Sequence, residues 1–115
     1  MGDLAELDFC YVTTTGRRSG TPHTVEIWFA LAGETLYLLS GGRGRSDWVR
    51  NLQRSSGVLV RLREREYEAR ARVLEAGEED ALARRLLFEK YNPGYSSDLS
   101  NWRDTALPVA LDVLA

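Results

Sequence analysis

Two arginines and a serine lie together in a short stretch bounded by glycines near the start of the chain. Arg17, Arg18 and Ser19 stand between Gly16 and Gly20 in the run GRRSG. Guanidinium groups bind phosphates and carboxylates through paired hydrogen bonds, and glycine leaves backbone amides open to an anion. The run therefore indicates an anion-binding loop, although a basic loop tip without a ligand is the commoner structure when such a run is taken alone.

A second arginine-bearing loop follows in the run GGRGRS, which begins at Gly41 and Gly42 and ends at Ser46. Ser46 is a good residue to cap a helix, and Asp47 would lie favourably in its first turn. The amides at such a helix start can receive an anion. A plain connector fits this run equally well.

Four aromatic residues accompany these loops and could form walls around a flat ring: Trp28, Trp48, Tyr95 and Trp102. Each of them, taken singly, is more often a core residue than a ligand platform. Anion-binding loops and aromatic walls together predict a ligand that has a planar ring and a phosphorylated tail.

The residues of common catalytic devices are mostly absent, and no side chain is predicted to be catalytic. The chain contains no phosphate-binding GxxxxGK motif and no HExxH motif. His23 is the only histidine, so one chain cannot build a multi-histidine metal site, and no metal is expected. Cys10 could pair with His23 as a thiolate, but a buried structural cysteine is far more common.

Length and composition predict an ordinary globular protein with a single domain, residues 1–115. The formal net charge of -2 gives no bulk attraction to nucleic acid or to an anionic membrane. The single cysteine suits a reducing compartment. No apolar run approaches a membrane span and no signal peptide opens the sequence, so a cytoplasmic location is expected.

Alternation of apolar and polar residues predicts six strands, at residues 9–15, 21–31, 35–40, 58–63, 66–74 and 107–113. A short helix is predicted at 46–54 and a longer one at 78–91. The longer helix should pack by an apolar stripe through Leu82 and Leu86, which also contains Leu87, Phe88 and Tyr91. Residues 95–103 are irregular or form another short helix. Runs of strands with few crossover helices indicate a mainly β, α+β fold, a small antiparallel barrel with the longer helix outside.

The order of these motifs resembles the deazaflavin-dependent nitroreductase and quinone reductase family. The similar segments are TTTGRRSGTPHTVEIWF, LYLLSGG, WVRNL and YNPGYSSDLSNWRDTALPVALDVL. The resemblance implies the split β-barrel of flavin-binding reductases and the coenzyme F420, a deazaflavin with a phosphate and an oligoglutamate tail. It also implies hydride transfer to a small electron-poor acceptor, such as a quinone, a nitro compound or an enone.

The resemblance further implies which residues hold the coenzyme. The arginine-serine loop would hold the anionic tail, residues 23–28 would lie beside the deazaflavin, and residues 39–42 would lie near phosphate and ring. A helix would close over the coenzyme, and one tyrosine would come from the C-terminal segment. The implied residues are Arg17, Arg18, Ser19, His23, Thr24, Val25, Glu26, Ile27, Trp28, Leu39, Ser40, Gly41, Gly42, Trp48, Asn51 and Tyr95.

Some positions depart from the pattern of the family. His23 stands where relatives often have a basic residue, and Glu26 and Ile27 stand where they often have Pro-Leu. Gly42, followed by Arg43, replaces another residue that is commonly basic. These departures bear on which coenzyme is bound rather than on the fold.

Two alternatives remain open from the sequence. One is an FMN-dependent reductase on the same barrel, and the other is a non-catalytic carrier of a flat amphiphilic ligand. An anionic tail requires Arg17 and Arg18, whereas an apolar cargo does not. Members of such barrel families commonly form dimers, so a homodimer is a further expectation.

Overall fold

The computed structural model describes residues 2–114, which form a curled, seven-stranded antiparallel sheet with helices packed against it. The strands are β1 (Cys10–Thr15), β2 (Pro22–Ile27), β3 (Ala30–Ala32), β4 (Thr35–Ser40), β5 (Gly57–Leu62), β6 (Arg65–Val73) and β7 (Leu107–Val113). The strand order is β2-β1-β5-β6-β7-β4-β3. The mainly β, α+β class expected from the sequence is confirmed.

The predicted count of six strands is wrong, because the strand expected at 21–31 is two strands. β2 pairs with β1, β3 pairs with β4, and these two strands lie at opposite ends of the sheet order. Only Trp28 and Phe29 separate them. The chain therefore bends at these residues and joins the two outermost strands of the curled sheet. Apolar residues alternate on both sides of the bend, so the pattern alone shows one long strand.

Lys90 stabilises the bend at Trp28 and Phe29. Phe29 is fully buried, and the Nζ of Lys90 donates a hydrogen bond to its carbonyl oxygen at 2.8 Å. The same ammonium donates to the Leu7 carbonyl oxygen at 2.7 Å and lies 3.9 Å from the centre of the Phe29 ring. A cation over an aromatic face is electrostatically attracted to it. Lys90 thus ties the bend to the residues before β1.

Three α-helices occur within the described residues: α1 (Asp47–Arg54), α2 (Glu78–Tyr91) and α3 (Ser100–Thr105). Short 3-10 helices occupy residues 2–6, 43–45 and 92–94. The bounds predicted for the longer helix are confirmed, and the C-terminal segment does contain a short helix. No helix within residues 2–114 is long and apolar enough to cross a bilayer.

α2 packs by the predicted side, but the buried centre of that side lies at Leu87 and Tyr91 rather than at Leu82 and Leu86. Ala83, Leu87 and Tyr91 are its buried residues, whereas Leu82 and Leu86 are only partly buried. Residues four apart share one side of a helix, so Ala83, Leu87 and Tyr91 form the centre of the packing face. Leu82, Leu86 and Phe88 pack against the same core from its edges.

β4 contributes to a hydrophobic core on each face of the sheet, as its alternation predicts. Leu36 and Leu38 belong to the core enclosed by the curled strands, together with Phe29. Tyr37 and Leu39 belong to a second core, which includes the buried residues of α2. The sheet is therefore covered on both faces along β4, while β2 at its outer end stays largely exposed.

Candidate functional site

The basic loop, residues 16–20, has a closed backbone structure. The Gly16 amide donates to the Thr21 carbonyl oxygen at 2.8 Å, and the Gly20 amide donates to the Gly16 carbonyl oxygen at 2.9 Å. Gly20 has a φ of 74°, a left-handed conformation that glycine adopts without steric cost. These bonds fix the direction in which the loop presents Arg17 and Arg18.

Asn51 anchors this loop to α1. Its Oδ1 accepts hydrogen bonds from the backbone amide of Arg17 at 3.1 Å and from Arg17 Nη1 at 3.0 Å. Its Nδ2 donates to Thr14 Oγ1 at 3.1 Å. Asn51 is 3% exposed, and it shares the buried side of the helix with Val49 and Leu52. Because both ends of its amide are used inside the protein, Asn51 positions the loop.

The first cavity lies between the basic loop, β2 and the start of α1 and has a volume of about 380 Å³. It is lined by Gly16, Arg17, Arg18, Ser19, His23, Thr24, Val25, Asp47, Trp48 and Asn51. Two guanidinium groups, a hydroxyl and an imidazole are donors suited to an anion. Trp48 is partly buried and also packs against the core of the curled sheet. It therefore both anchors the helix and forms part of the cavity wall.

Gly16 lets the side chains of His23 and Ser19 lie close to the backbone of the basic loop. A Cβ placed on Gly16 would lie 2.7 Å from His23 Nε2 and 2.7 Å from Ser19 Oγ. Ser19 Oγ and Thr21 Oγ1 are 2.7 Å apart, and Thr21 Oγ1 lies 3.4 Å from His23 Nε2. The side chains of Ser19, Thr21 and His23 thus form a polar row beside Gly16, where a larger residue would clash with Ser19 and His23.

The second cavity is mainly aromatic and apolar and has a volume of about 440 Å³. It is lined by Phe9, Glu26, Ile27, Trp28, Leu39, Tyr95, Leu99 and Trp102. Trp28 lies flat against Tyr91, with ring centres 4.3 Å apart and an interplanar angle of 3°. The rings of Tyr95 and Trp102 meet Trp28 edge-on, at 84° and 89°. Phe9 and Tyr95 are 43% and 46% exposed, so the cavity opens to solvent.

β2 contributes residues to both cavities. His23, Thr24 and Val25 line the first cavity, and Glu26 and Ile27 line the second. A six-residue strand spans about 17 Å at roughly 3.3 Å per residue. An elongated ligand lying along β2 would therefore contact anion donors at one end and aromatic rings at the other.

Glu26 accepts a hydrogen bond from a residue of the neighbouring strand. Its Oε2 accepts a hydrogen bond from the Tyr11 hydroxyl at 2.7 Å, across the β1–β2 pair. This bond is the main reason that the pKa of Tyr11 is raised. The Arg61 guanidinium lies 4.1 Å from the centre of the Tyr11 ring. The carboxylate thus has a donor of its own beside the second cavity.

Hydrogen bonds fix the loop of residues 41–46, which follows β4. The Ser40 hydroxyl donates to the Arg43 carbonyl oxygen at 2.9 Å and lies 2.8 Å from Ser46 Oγ. Arg43 Nε donates to the Thr105 carbonyl oxygen at 2.9 Å. Ser46 precedes α1 as predicted, but its side chain does not cap the helix. Ser40, Gly41 and Gly42 line neither of these two cavities, so their role toward a coenzyme stays a prediction.

The pairing of Cys10 with His23 is not formed. In the β1–β2 register Cys10 lies opposite Ile27, and His23 lies opposite Thr14 at the other end of the strands. Burial raises the pKa of the Cys10 thiol to about 12, which disfavours a thiolate. Among the residues that the structure describes, no cluster of His, Cys, Asp and Glu could hold a metal ion.

Five cavity residues were absent from the set expected to hold the coenzyme: Phe9, Gly16, Asp47, Leu99 and Trp102. From the sequence, Trp102 is expected only as a possible aromatic wall. Gly16 bounds the basic loop, so the GRRSG run already contained a signal for it. Phe9 and Leu99 come from segments whose packing the local pattern does not indicate.

Comparison with known proteins gives both a family and a fold. A sequence model of the F420H(2)-dependent quinone reductases matches residues 2–113. The structure resembles an F420-H2 dependent reductase, FDR-A, at 24% identity and a TM-score of 0.73, over 93% of this chain and 94% of that chain. No curated protein sequence matches the chain.

Two further solved structures share the fold. One is described as a domain-swapped dimer and has 24% identity and a TM-score of 0.73, over 93% of this chain and 80% of that chain. The other is HutZ, a heme storage protein from Vibrio cholerae, with 13% identity and a TM-score of 0.74, over 99% and 87% of the two chains. At these identities the likeness concerns the fold alone.

Proposed function

The chain belongs to the F420H(2)-dependent quinone reductase family and is an F420-dependent oxidoreductase, and we propose that its acceptor is a small electron-poor molecule such as a quinone, a nitro compound or an enone. The observation that supports this proposal is the course of β2, which contributes residues to a cavity of anion donors and to a cavity of aromatic rings.

The donor set of the first cavity fits the anionic part of F420. Arg17 and Arg18 supply positive charge, Ser19 and His23 supply further donors, and Gly16 allows His23 and Ser19 to lie close together at the loop. Charge-assisted hydrogen bonds of this kind are stronger than bonds between neutral groups. We therefore assign the phosphate and glutamate tail to the first cavity.

The second cavity fits the flat parts of the reaction partners. Trp28 is held by Tyr91 on one face and by two ring edges, so it forms a rigid wall. The bound coenzyme supplies the hydride, so the protein need only bind, orient and desolvate the partners. This division of work agrees with the absence of a protein nucleophile among the sequence motifs. The coenzyme-binding residues implied by the resemblance stay proposals, with Asn51 positioning the loop.

The two alternatives from the sequence receive less support. The family match favours F420 over FMN. The likeness to a heme storage protein extends to the fold only. A carrier of an apolar cargo also leaves the anion donors of the first cavity without a function, whereas F420 uses them.

Two further proposals concern the oligomeric state and the cellular location of the protein. A homodimer agrees with the solved structure described as a domain-swapped dimer, although the identity is low. A cytoplasmic location agrees with a single cysteine that is buried and free.

Arg18→Ala tests the assignment of the tail to the first cavity. Arg18 is exposed, and among residues 2–114 it forms no ion pair, so its removal should leave folding stability nearly unchanged. Loss of a charge-assisted hydrogen bond should weaken F420 binding about 10- to 150-fold. Binding is followed through the tryptophan fluorescence of the protein during titration with oxidised F420.

Arg85→Ala is the matched control, because Arg85 lies on the exposed side of α2 and pairs only with Glu89 in the described part of the chain. It removes the same charge and should leave F420 affinity unchanged. Equal affinity of Arg18→Ala and wild type would contradict the assignment. Affinity that does not fall with added salt would contradict it as well, since exposed ionic contacts are screened.

A further inference from the structure

Arg17 already has an anionic partner within the chain. Its Nη2 lies 3.2 Å from Asp47 Oδ1, and both residues line the first cavity. The Arg17 side chain is 23% exposed, whereas that of Asp47 is 85% exposed. The guanidinium is therefore fixed in the wall by Asn51, and the carboxylate lies over it from the solvent side.

Asp47 differs from Asn51, the other partner of Arg17, in charge and in exposure to solvent. Asn51 is neutral and buried, so its bond to the guanidinium leaves the positive charge uncompensated. Asp47 carries a full negative charge at the first residue of α1, where a helix start favours a carboxylate. An exposed ion pair has little net stability, so an anion that binds Arg17 more tightly can displace the Asp47 carboxylate into solvent.

We propose that Asp47 is an internal counter-ion of Arg17, which the anionic tail of the coenzyme must displace on binding. Asp47 is thus a specificity-determining residue of the first cavity. It lowers affinity for any anion that cannot compete for Arg17, and the exchange limits capture of small cellular anions. The inference rests on the proposed function, since it takes the first cavity as the tail site.

Asp47→Asn tests the exchange, because the amide keeps the shape of the side chain and removes its charge. Titration of the variant with oxidised F420, followed by tryptophan fluorescence, should show binding about two- to fivefold tighter than wild type, the range expected for an exposed ion pair. Asp104→Asn is the matched control. Asp104 pairs with Arg103 in α3, so its substitution changes the net charge equally, lies outside the first cavity, and should leave affinity unchanged.

A double-mutant comparison separates exchange from simple repulsion. If Asp47 acts through Arg17, the gain caused by Asp47→Asn should shrink toward none in an Arg17→Ala background. General repulsion between Asp47 and the tail predicts the same gain in both backgrounds and would overturn the proposal. Unchanged or weaker binding by Asp47→Asn would overturn it as well. Thermal melting of each variant establishes that the compared proteins are folded.

The test distinguishes failure of this inference from failure of the proposed function. If Arg18→Ala weakens F420 binding while Asp47→Asn has no effect, the tail site stands and the counter-ion exchange is wrong. If neither substitution changes affinity, the tail lies elsewhere and both proposals are wrong.

Discussion

The hydroxyl oxygen of Tyr91 lies 3.0 Å from both the amide nitrogen and the carbonyl oxygen of Phe29. It accepts a hydrogen bond from the amide, and its own hydrogen can go to that carbonyl or to the Asp8 carbonyl oxygen, 2.8 Å away. The same tyrosine stacks on Trp28. One residue at the end of α2 therefore holds the bend between β2 and β3 and supports the aromatic wall of the second cavity.

Tyr91→Phe should lower the free energy of unfolding by about 1–3 kcal/mol. The substitution leaves the Phe29 amide buried without its acceptor, and an unsatisfied buried donor carries its full desolvation cost. The ring and its stacking on Trp28 are kept. Denaturant unfolding measures the change, and Tyr95→Phe is the control because Tyr95 is 46% exposed. A loss no larger than in the control would mean that this hydroxyl does not stabilise the bend.

Leu87→Ala should destabilise the protein by about 2–5 kcal/mol, as truncation of a buried leucine does. Leu87 is fully buried between α2 and the sheet, whereas its neighbour Leu86 is only partly buried. Leu86→Ala should therefore cost clearly less in the same unfolding measurement. A larger loss at Leu86 than at Leu87 would contradict the burial of Leu87 at the centre of the packing face.

Gly16→Ala should weaken F420 binding while the protein still folds. The new Cβ would displace the ends of His23 and Ser19 in the first cavity, and side-chain ends can move more easily than backbone. Gly44→Ala is a matched control, since a Cβ there would meet nothing within 4 Å. Isothermal titration of both variants with oxidised F420 provides the comparison. Similar affinity of the two variants would show that the present positions of His23 and Ser19 do not matter for binding.

The stability of the protein should fall in acid partly through one ionic network. Arg72 binds Glu79 at 2.9 Å and Asp112 at 2.6 Å, and its hydrogen bonds are the main reason that the pKa of each carboxyl is lowered. A depressed pKa in the folded state stabilises the protein above the unfolded pKa of about 4. That stability is lost as the pH falls through the lower, folded-state value.

Arg72→Met tests this contribution, because it removes the charge and keeps much of the side-chain length. The free energy of unfolding, measured between about pH 6 and pH 2, should fall less steeply in the variant than in wild type. Arg85→Met, which disrupts an exposed pair with Glu89, should retain the wild-type slope. Parallel curves for wild type and Arg72→Met would show that the network does not contribute.

Local pattern predicted most of the elements and the faces of the strands. The alternation of Leu36 and Leu38 with Tyr37 and Leu39 placed the two pairs on opposite faces of the sheet, where they join different cores. The bounds 35–40, 78–91 and 107–113 agree with the structure. These features depend on neighbours within a few residues, which the sequence displays directly.

The contacts that the sequence did not predict join distant parts of the chain. The partners of Arg17 lie 30 and 34 residues further along, so no local pattern relates the basic loop to Asp47 and Asn51. The bend at Phe29 depends on Tyr91, 62 residues away. Arg17 is thereby partly buried in the fold, whereas Arg18 is exposed, so substitution of Arg18 tests ligand binding with less effect on folding.

Lys90, the only lysine of the chain, has its ammonium held by two backbone carbonyl oxygens at the bend. An amine-directed reagent can therefore attack residue 90 efficiently only when those bonds open. The rate of acylation at this residue, read by mass spectrometry of its peptide, would report the opening of the β2–β3 junction without any engineered label. Because local opening has its own free energy, the same measurement made with and without F420 would show whether the coenzyme closes the junction.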